Sequence, residues 1–121
     1  MKIVISAEGK NNTDLLDARF GRCPYFQIYD TETKEFKCVE NKGAVSSGGA
    51  GIVASEQVID ENIDVVITGN LGPNAYRLLK GSEIKMFKSN KATIKDVLKC
   101  YEKGELEEII QSGPEHGGIR K

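Results

Sequence analysis

Cys23 lies in the run Asp17-Ala18-Arg19-Phe20-Gly21-Arg22-Cys23-Pro24-Tyr25-Phe26, with an arginine directly before it and another four positions upstream. A thiol flanked by positive charge is biased toward the thiolate, the form that ligates soft metals or attacks as a nucleophile. The alternative is a small residue packed under the loop beside Pro24, since free cysteine is often buried and inert. Arg22 and Arg19 carry the matching choice between anion ligand and solvated charge. His116 is the single histidine of the chain, and imidazole is a common metal ligand. It sits in Gly113-Pro114-Glu115-His116-Gly117-Gly118, which lacks apolar periodicity and reads as a flexible tail.

Two glycine-rich turns add backbone chemistry. Gly48-Gly49-Ala50-Gly51 precedes a helical pattern, so its free N–H groups can face an anion with help from the helix dipole. No Lys-Ser or Lys-Thr pair follows, which excludes a Walker loop, and the glycine spacing is not that of a dinucleotide fingerprint. Gly69-Asn70-Leu71-Gly72-Pro73 is a second loop-to-helix junction, and Asn70 joins the candidate binding residues with Arg22, Cys23, Gly48, Gly49 and Gly51. Both turns are also explained by loop-to-helix geometry alone.

The elements that must position these residues follow from pattern. Ile3-Val4-Ile5 suits a central strand. Tyr25-Phe26-Gln27-Ile28-Tyr29 and residues 35–40 form a hairpin around Asp30-Thr31-Glu32-Thr33. Ile52, Val53, Ile59 and Ile63 recur at helical spacing. Val65-Val66-Ile67 is a strand buried on both faces, Pro73 opens a helix carrying Ala75, Leu78 and Leu79, and Ile84-Lys85-Met86-Phe87 is the last strand. Thr93 and Asp96 make a capping box with Asp in place of Glu, ahead of the stripe Ile94, Val97, Leu98 and Tyr101. Gly104 stops that helix, and Leu106, Ile109 and Ile110 suggest a further short turn or helix.

The order is β-β-β-α-β-α-β-α, an α/β fold whose leading hairpin and later crossovers require a mixed sheet covered by helices. If the first, third, fourth and fifth strands are parallel, the loops at 8–22, 41–51, 69–72 and 88–92 meet at the carboxyl edge, where open α/β sheets bind ligands.

The chain has 121 residues, enough for one domain, expected over 1–112 with a tail at 113–121. Its net charge of −1 gives no support for a nucleic-acid or membrane-surface partner. With no span-length apolar run and no signal segment, the reading is cytoplasmic. Three scattered cysteines, Cys23, Cys38 and Cys100, make neither a disulfide framework nor a zinc site of their own, and the latter two read as packing. Enzyme chemistry is disfavoured, because a hydrolase triad needs a rigid histidine and a two-metal nuclease needs converging carboxylates.

Phe20-Gly21-Arg22-Cys23-Pro24-Tyr25-Phe26, Gly48-Gly49-Ala50-Gly51 and Val65-Val66-Ile67-Thr68-Gly69-Asn70-Leu71-Gly72-Pro73-Asn74-Ala75 together resemble the dinitrogenase iron–molybdenum cofactor-binding family. The resemblance implies a ribonuclease-H-like three-layer α/β/α fold with a mixed five-stranded sheet. It implies a non-enzymatic binding or carrier protein for an iron–sulfur or iron–molybdenum cluster or its precursor, exchanging it with a donor or acceptor protein. Cys23 and His116 are then the candidate metal ligands. Two other functions remain open at this stage: a small-anion or nucleotide module at the same edge, and a protein-interaction or regulatory module.

Overall fold

The computed structural model describes residues 1–113. The opening apolar run forms strand β1 (Lys2–Ala7), buried from Ile3 to Ala7 because both faces of the sheet are covered there. Strands β2 (Tyr25–Asp30) and β3 (Glu35–Glu40) are the expected hairpin, with Phe26 opposite Val39 and Tyr29 opposite Phe36. Strands β4 (Val65–Thr68) and β5 (Lys85–Lys88) follow, β4 parallel to β1 and β5 parallel to β4.

The sheet has six strands rather than five, in the order β3-β2-β1-β4-β5-β6. The sixth, β6 (Glu107–Glu108), pairs antiparallel with β5. Leu106, Ile109 and Ile110 therefore do not enter a turn or helix of their own. The chain passes Gly104 at φ 73° and returns along β5, where the Ile109 N–H donates to the Met86 carbonyl at 2.8 Å. An uncovered β5 edge would leave a row of unpaired backbone groups, and this strap covers it.

Helices cover both faces. On one side α1 (Ala50–Asp60) and α2 (Pro73–Gly81) set Ala54, Val58, Ala75 and Leu79 against Val4, Phe26, Ile28, Val66 and Met86. On the other, α3 (Ile94–Glu102) sets Ile94, Val97 and Leu98, with Leu16 from the first loop, against Ile3, Ile5, Val65 and Ile67. The expected stripe on α1 is corrected: Ile52 is exposed, the buried residues are Ala54, Ser55 and Val58, and Ile63 lies beyond the helix. Small residues face inward because the first turns of α1 and α2 touch; a Cβ on Gly51 would sit 3.6 Å from the Ala75 Cβ. No helix among the described residues is long and apolar enough to cross a membrane.

Candidate functional site at the carboxyl edge of the sheet

Because β3 is antiparallel to β2 and β2 to β1, strands β1, β3, β4 and β5 all end at the same edge. Their loops touch there. The Leu16 N–H donates to the Ala92 carbonyl at 2.9 Å, and Arg19 forms a parallel bridge with Asn70. Gly69 packs so closely on Ala18 that a Cβ there would lie 2.6 Å from the Ala18 Cβ. Two clefts flank this contact. One, of about 560 Å³, lies between the first loop and the β5 loop, lined by Glu8, Asp17, Arg19, Lys88, Asn90 and Lys91 among others. The second, of about 740 Å³, runs from Asn70 and Leu71 to the strap at residues 107–113.

Cys23 is not at the lip of this edge. It is 0% exposed and shares the core of Phe20 and Phe26. Its Sγ lies 3.5 Å from the Phe20 carbonyl and 3.4 Å from the Tyr25 carbonyl. Burial pushes the thiol up to about 12, well beyond what its hydrogen bonds and the nearby Arg19 charge can offset. The expected bias toward a thiolate is therefore overturned: desolvation of the charged form outweighs the flanking arginines. Cys38 is half-buried, with its thiol also pushed up by burial. Among the described residues no group of three or more His, Cys, Asp or Glu side chains is arranged to hold a metal ion.

Arg22 is used largely by the protein itself. Its Nη1 donates to the Ser46 carbonyl at 2.8 Å and to the Gly43 and Ala44 carbonyls at 3.3 and 3.4 Å, pinning the loop after β3. Those acceptors lie in and just after a 3-10 turn at Lys42–Val45, where the Ser46 N–H also donates to the Gly43 carbonyl at 3.1 Å. Gly48 and Gly49 are exposed at the start of α1, and Gly49 is its N-cap at φ 64°. Gly51 is tied in from the other side, since a Cβ on Gly21 would lie 2.9 Å from the Gly51 nitrogen. Asn70 lies at the second cleft, where the Gly113 N–H donates to the Leu71 carbonyl at 2.7 Å. His116 and the expected tail beyond Gly113 lie outside the described residues.

The helix starts at this edge differ in kind. Neither α1 nor α2 has a side-chain cap or an acidic residue in its first turn. Helix α3, by contrast, is capped by Thr93, whose hydroxyl accepts from the Asp96 N–H, and carries Asp96 in its first turn. The open N–H groups of α1 and α2 thus present two adjacent positive dipole ends without an internal anion to absorb them.

Four residues that sequence patterns left aside organise the edge. Asn41 is buried, and its Nδ2 donates to the carbonyls of Phe20, Gly21 and Cys23 at 3.2, 3.2 and 2.8 Å. Gln27, also buried, holds the first loop through the carbonyls of Gly9 and Asn11 at 2.9 and 2.7 Å. Asp17 accepts from Arg19 Nε at 3.0 Å and Nη2 at 2.8 Å. Burial pushes the Asp17 carboxyl up, but the side-chain and backbone hydrogen bonds from Arg19 outweigh that and hold it below the usual carboxylate value. Lys91 reaches Glu8 at 2.6 Å across the first cleft.

Known proteins resemble this chain in sequence and fold. The chain is 31% identical over 112 residues to an uncharacterized protein of Methanocaldococcus jannaschii, covering 90% of this chain and 92% of that one. Its fold matches the apo form of the orange protein from Desulfovibrio gigas at TM-score 0.87 and 28% identity, over 93% of this chain and 95% of the other. A NifB-like protein from Thermotoga matches at TM-score 0.82 and 29% identity, over 94% and 97% of the two chains. With its family model matching residues 1–104, the chain belongs to the dinitrogenase iron–molybdenum cofactor family.

Proposed function

We propose that the protein is a non-enzymatic binder or carrier of an anionic metal–sulfur cluster, of iron–sulfur or iron–molybdenum type, which it exchanges with a donor or acceptor protein. The family membership supports the ligand class, and the structure of the Desulfovibrio gigas relative is that of an apo form. The observation that carries the reading is the pair of uncapped, acid-free helix starts at α1 and α2, in contact at the carboxyl edge. A sulfide-rich cluster carries negative charge, and open N–H groups with aligned dipoles suit it.

Cys23 does not fit the role of cluster ligand, because a thiol at about 12 with no exposure cannot supply a thiolate without unfolding its surroundings. The cluster is accordingly held by charge and backbone hydrogen bonds, with Asn70 at the rim, rather than by a Cys23–metal bond. Such a hold suits transfer, since release breaks no strong protein–metal bond. His116, the one imidazole in the sequence, is kept as a proposed additional ligand from outside the described residues. We take the ribonuclease-H-like arrangement as scaffold only, with no nuclease chemistry attached.

Anaerobic reconstitution with iron, sulfide and molybdate, followed by visible absorption and metal analysis, tests this. The expected result is a chromophore in the wild type and equal loading in Cys23→Ala. A wild type that takes up no metal would sink the proposal. Loss of loading in a folded Cys23→Ala protein would replace the charge-based hold with thiolate ligation.

A further inference from the structure

We infer that the cleft between the first loop and the β5 loop is a second binding site, for a compact, doubly charged oxyanion or phosphoryl group. It lies on the α3 side of the sheet edge and stands whether or not α1 and α2 hold a cluster. Three cations line it, Arg19, Lys88 and Lys91, against two carboxylates, Glu8 and Asp17. Both carboxylates are already engaged: Asp17 binds Arg19 through two side-chain hydrogen bonds, and Glu8 pairs with Lys91 at 2.6 Å. Lys88 forms no salt bridge among the described residues, so one positive charge in the lining is left without a counter-charge.

The arginine is held in place for this task. Asp17 is 5% exposed, and its Oδ1 also accepts from the Arg19 backbone N–H at 2.9 Å. The Asp17 backbone is fixed in turn, its N–H donating to the Ser6 carbonyl at 2.9 Å and its carbonyl accepting from the Ser6 hydroxyl at 2.6 Å. Thr68 completes the buried chain with a 2.7 Å contact to that hydroxyl. With Nε and one edge of Nη2 committed to Asp17, the guanidinium keeps its outer donors, a fork suited to two oxygens of one anion. Across the cleft, the backbone N–H groups of Asn90 and Lys91 donate to no protein acceptor among the described residues, while the Ser89 N–H is satisfied by the Thr68 carbonyl at 3.0 Å. Fixed arginine, uncompensated lysine and two open amides surround a cleft of about 560 Å³. That volume admits a tetrahedral anion, with room left for an attached organic group.

The test is titration of the metal-free protein with inorganic phosphate at constant ionic strength, followed by amide chemical shifts, with adenosine 5′-monophosphate as a second arm. The expected result is saturable shifts at Asn90 and Lys91, with affinity about tenfold lower in Lys88→Gln, the loss of one charge-assisted hydrogen bond, and lower still in Arg19→Gln, which removes the two-donor fork. Tighter binding of the nucleotide would identify an esterified phosphate as the ligand, and equal binding the free oxyanion. Absence of saturable shifts with both probes would overturn the site. So would an affinity unchanged in Lys88→Gln, a variant whose exposed side chain leaves the fold intact.

Discussion

The Asn41 amide lies 2.8 Å from the Cys23 carbonyl oxygen and 3.5 Å from the Cys23 Sγ, so one buried side chain fastens the loop after β3 to the loop before β2. The same side chain accepts from the Gly43 N–H at 2.9 Å, which caps the 3-10 turn. Through that turn and Arg22, the start of α1 is set against Gly21. Cys23 therefore contributes as a packed residue under the edge, and Asn41 is the polar group that makes its burial workable.

Asn41→Ala should lower stability by about 2–4 kcal/mol, because it leaves the buried Cys23 carbonyl without a donor and the Phe20 carbonyl with only the weak Cys23 thiol, and removes the cap. Urea denaturation measures this directly. A loss below about 0.5 kcal/mol, the size of an ordinary surface effect, would show that the carbonyls find other partners.

Cys23 should also mark the alkaline limb of the stability curve. Its folded value is raised to about 12 from an ordinary 9.0, so between those values the unfolded chain releases a proton that the folded chain keeps. The contribution is complete below pH 9 and declines as pH rises toward 12, by about 1.4 kcal/mol per pH unit at steepest. Cys23→Ala should be less stable at neutral pH and lose less on going from pH 8 to 11. Parallel slopes for the two proteins would contradict the burial argument. Iodoacetamide at pH 8 should leave Cys23 unmodified until denaturant is added.

Glycines at the edge divide by what surrounds them. A Cβ on Gly43 would lie 2.6 Å from the carbonyl oxygens of both Ala50 and Gly21, which are backbone and cannot swing away. Gly43→Ala should therefore cost about 1–3 kcal/mol and loosen α1 from the first loop. Gly48 has nothing within 4 Å, so Gly48→Ala should be neutral or stabilising by up to about 1 kcal/mol. Thermal unfolding of the two variants compares them, and equal losses would mean that the loop spacing is not what fixes this edge.

The central strands and the helix stops were legible because single patterns set them. Ile3-Val4-Ile5 and Val65-Val66-Ile67 are apolar without alternation, and both are buried on two faces. Thr93 and Asp96 gave the start of α3, and Gly104 with φ 73° its end. Strand β6 was not legible, since Glu107-Glu108 has no strand pattern and pairs because β5 offers an open edge. The Cys23 environment carried a usable signal that charge obscured: Phe20, Cys23 and Phe26 recur every three residues and all point into one core. Gln27 stands between Phe26 and Ile28 and Asn41 between Glu40 and Lys42, and the buried hydrogen bonds of both depend on loops remote in sequence. The convergence of loops at one edge was readable from strand direction; which side chains face solvent there was not.

The start of α2 offers a substitution whose effects on stability and loading should run in opposite directions. Asn74 is exposed at the second position of that helix, and its Oδ1 accepts from Arg77 Nη2 at 2.7 Å. Asn74→Asp adds a negative charge at a positive dipole end and strengthens the link to Arg77, so the apo protein should gain about 0.3–1 kcal/mol. The same charge occupies the field that the proposed cluster needs, so metal loading in the anaerobic reconstitution should fall while the melting temperature of the apo protein rises. A structural defect would lower both together. Unchanged loading in the stabilised variant would move the cluster away from the paired helix starts and leave the proposal without the observation that carries it.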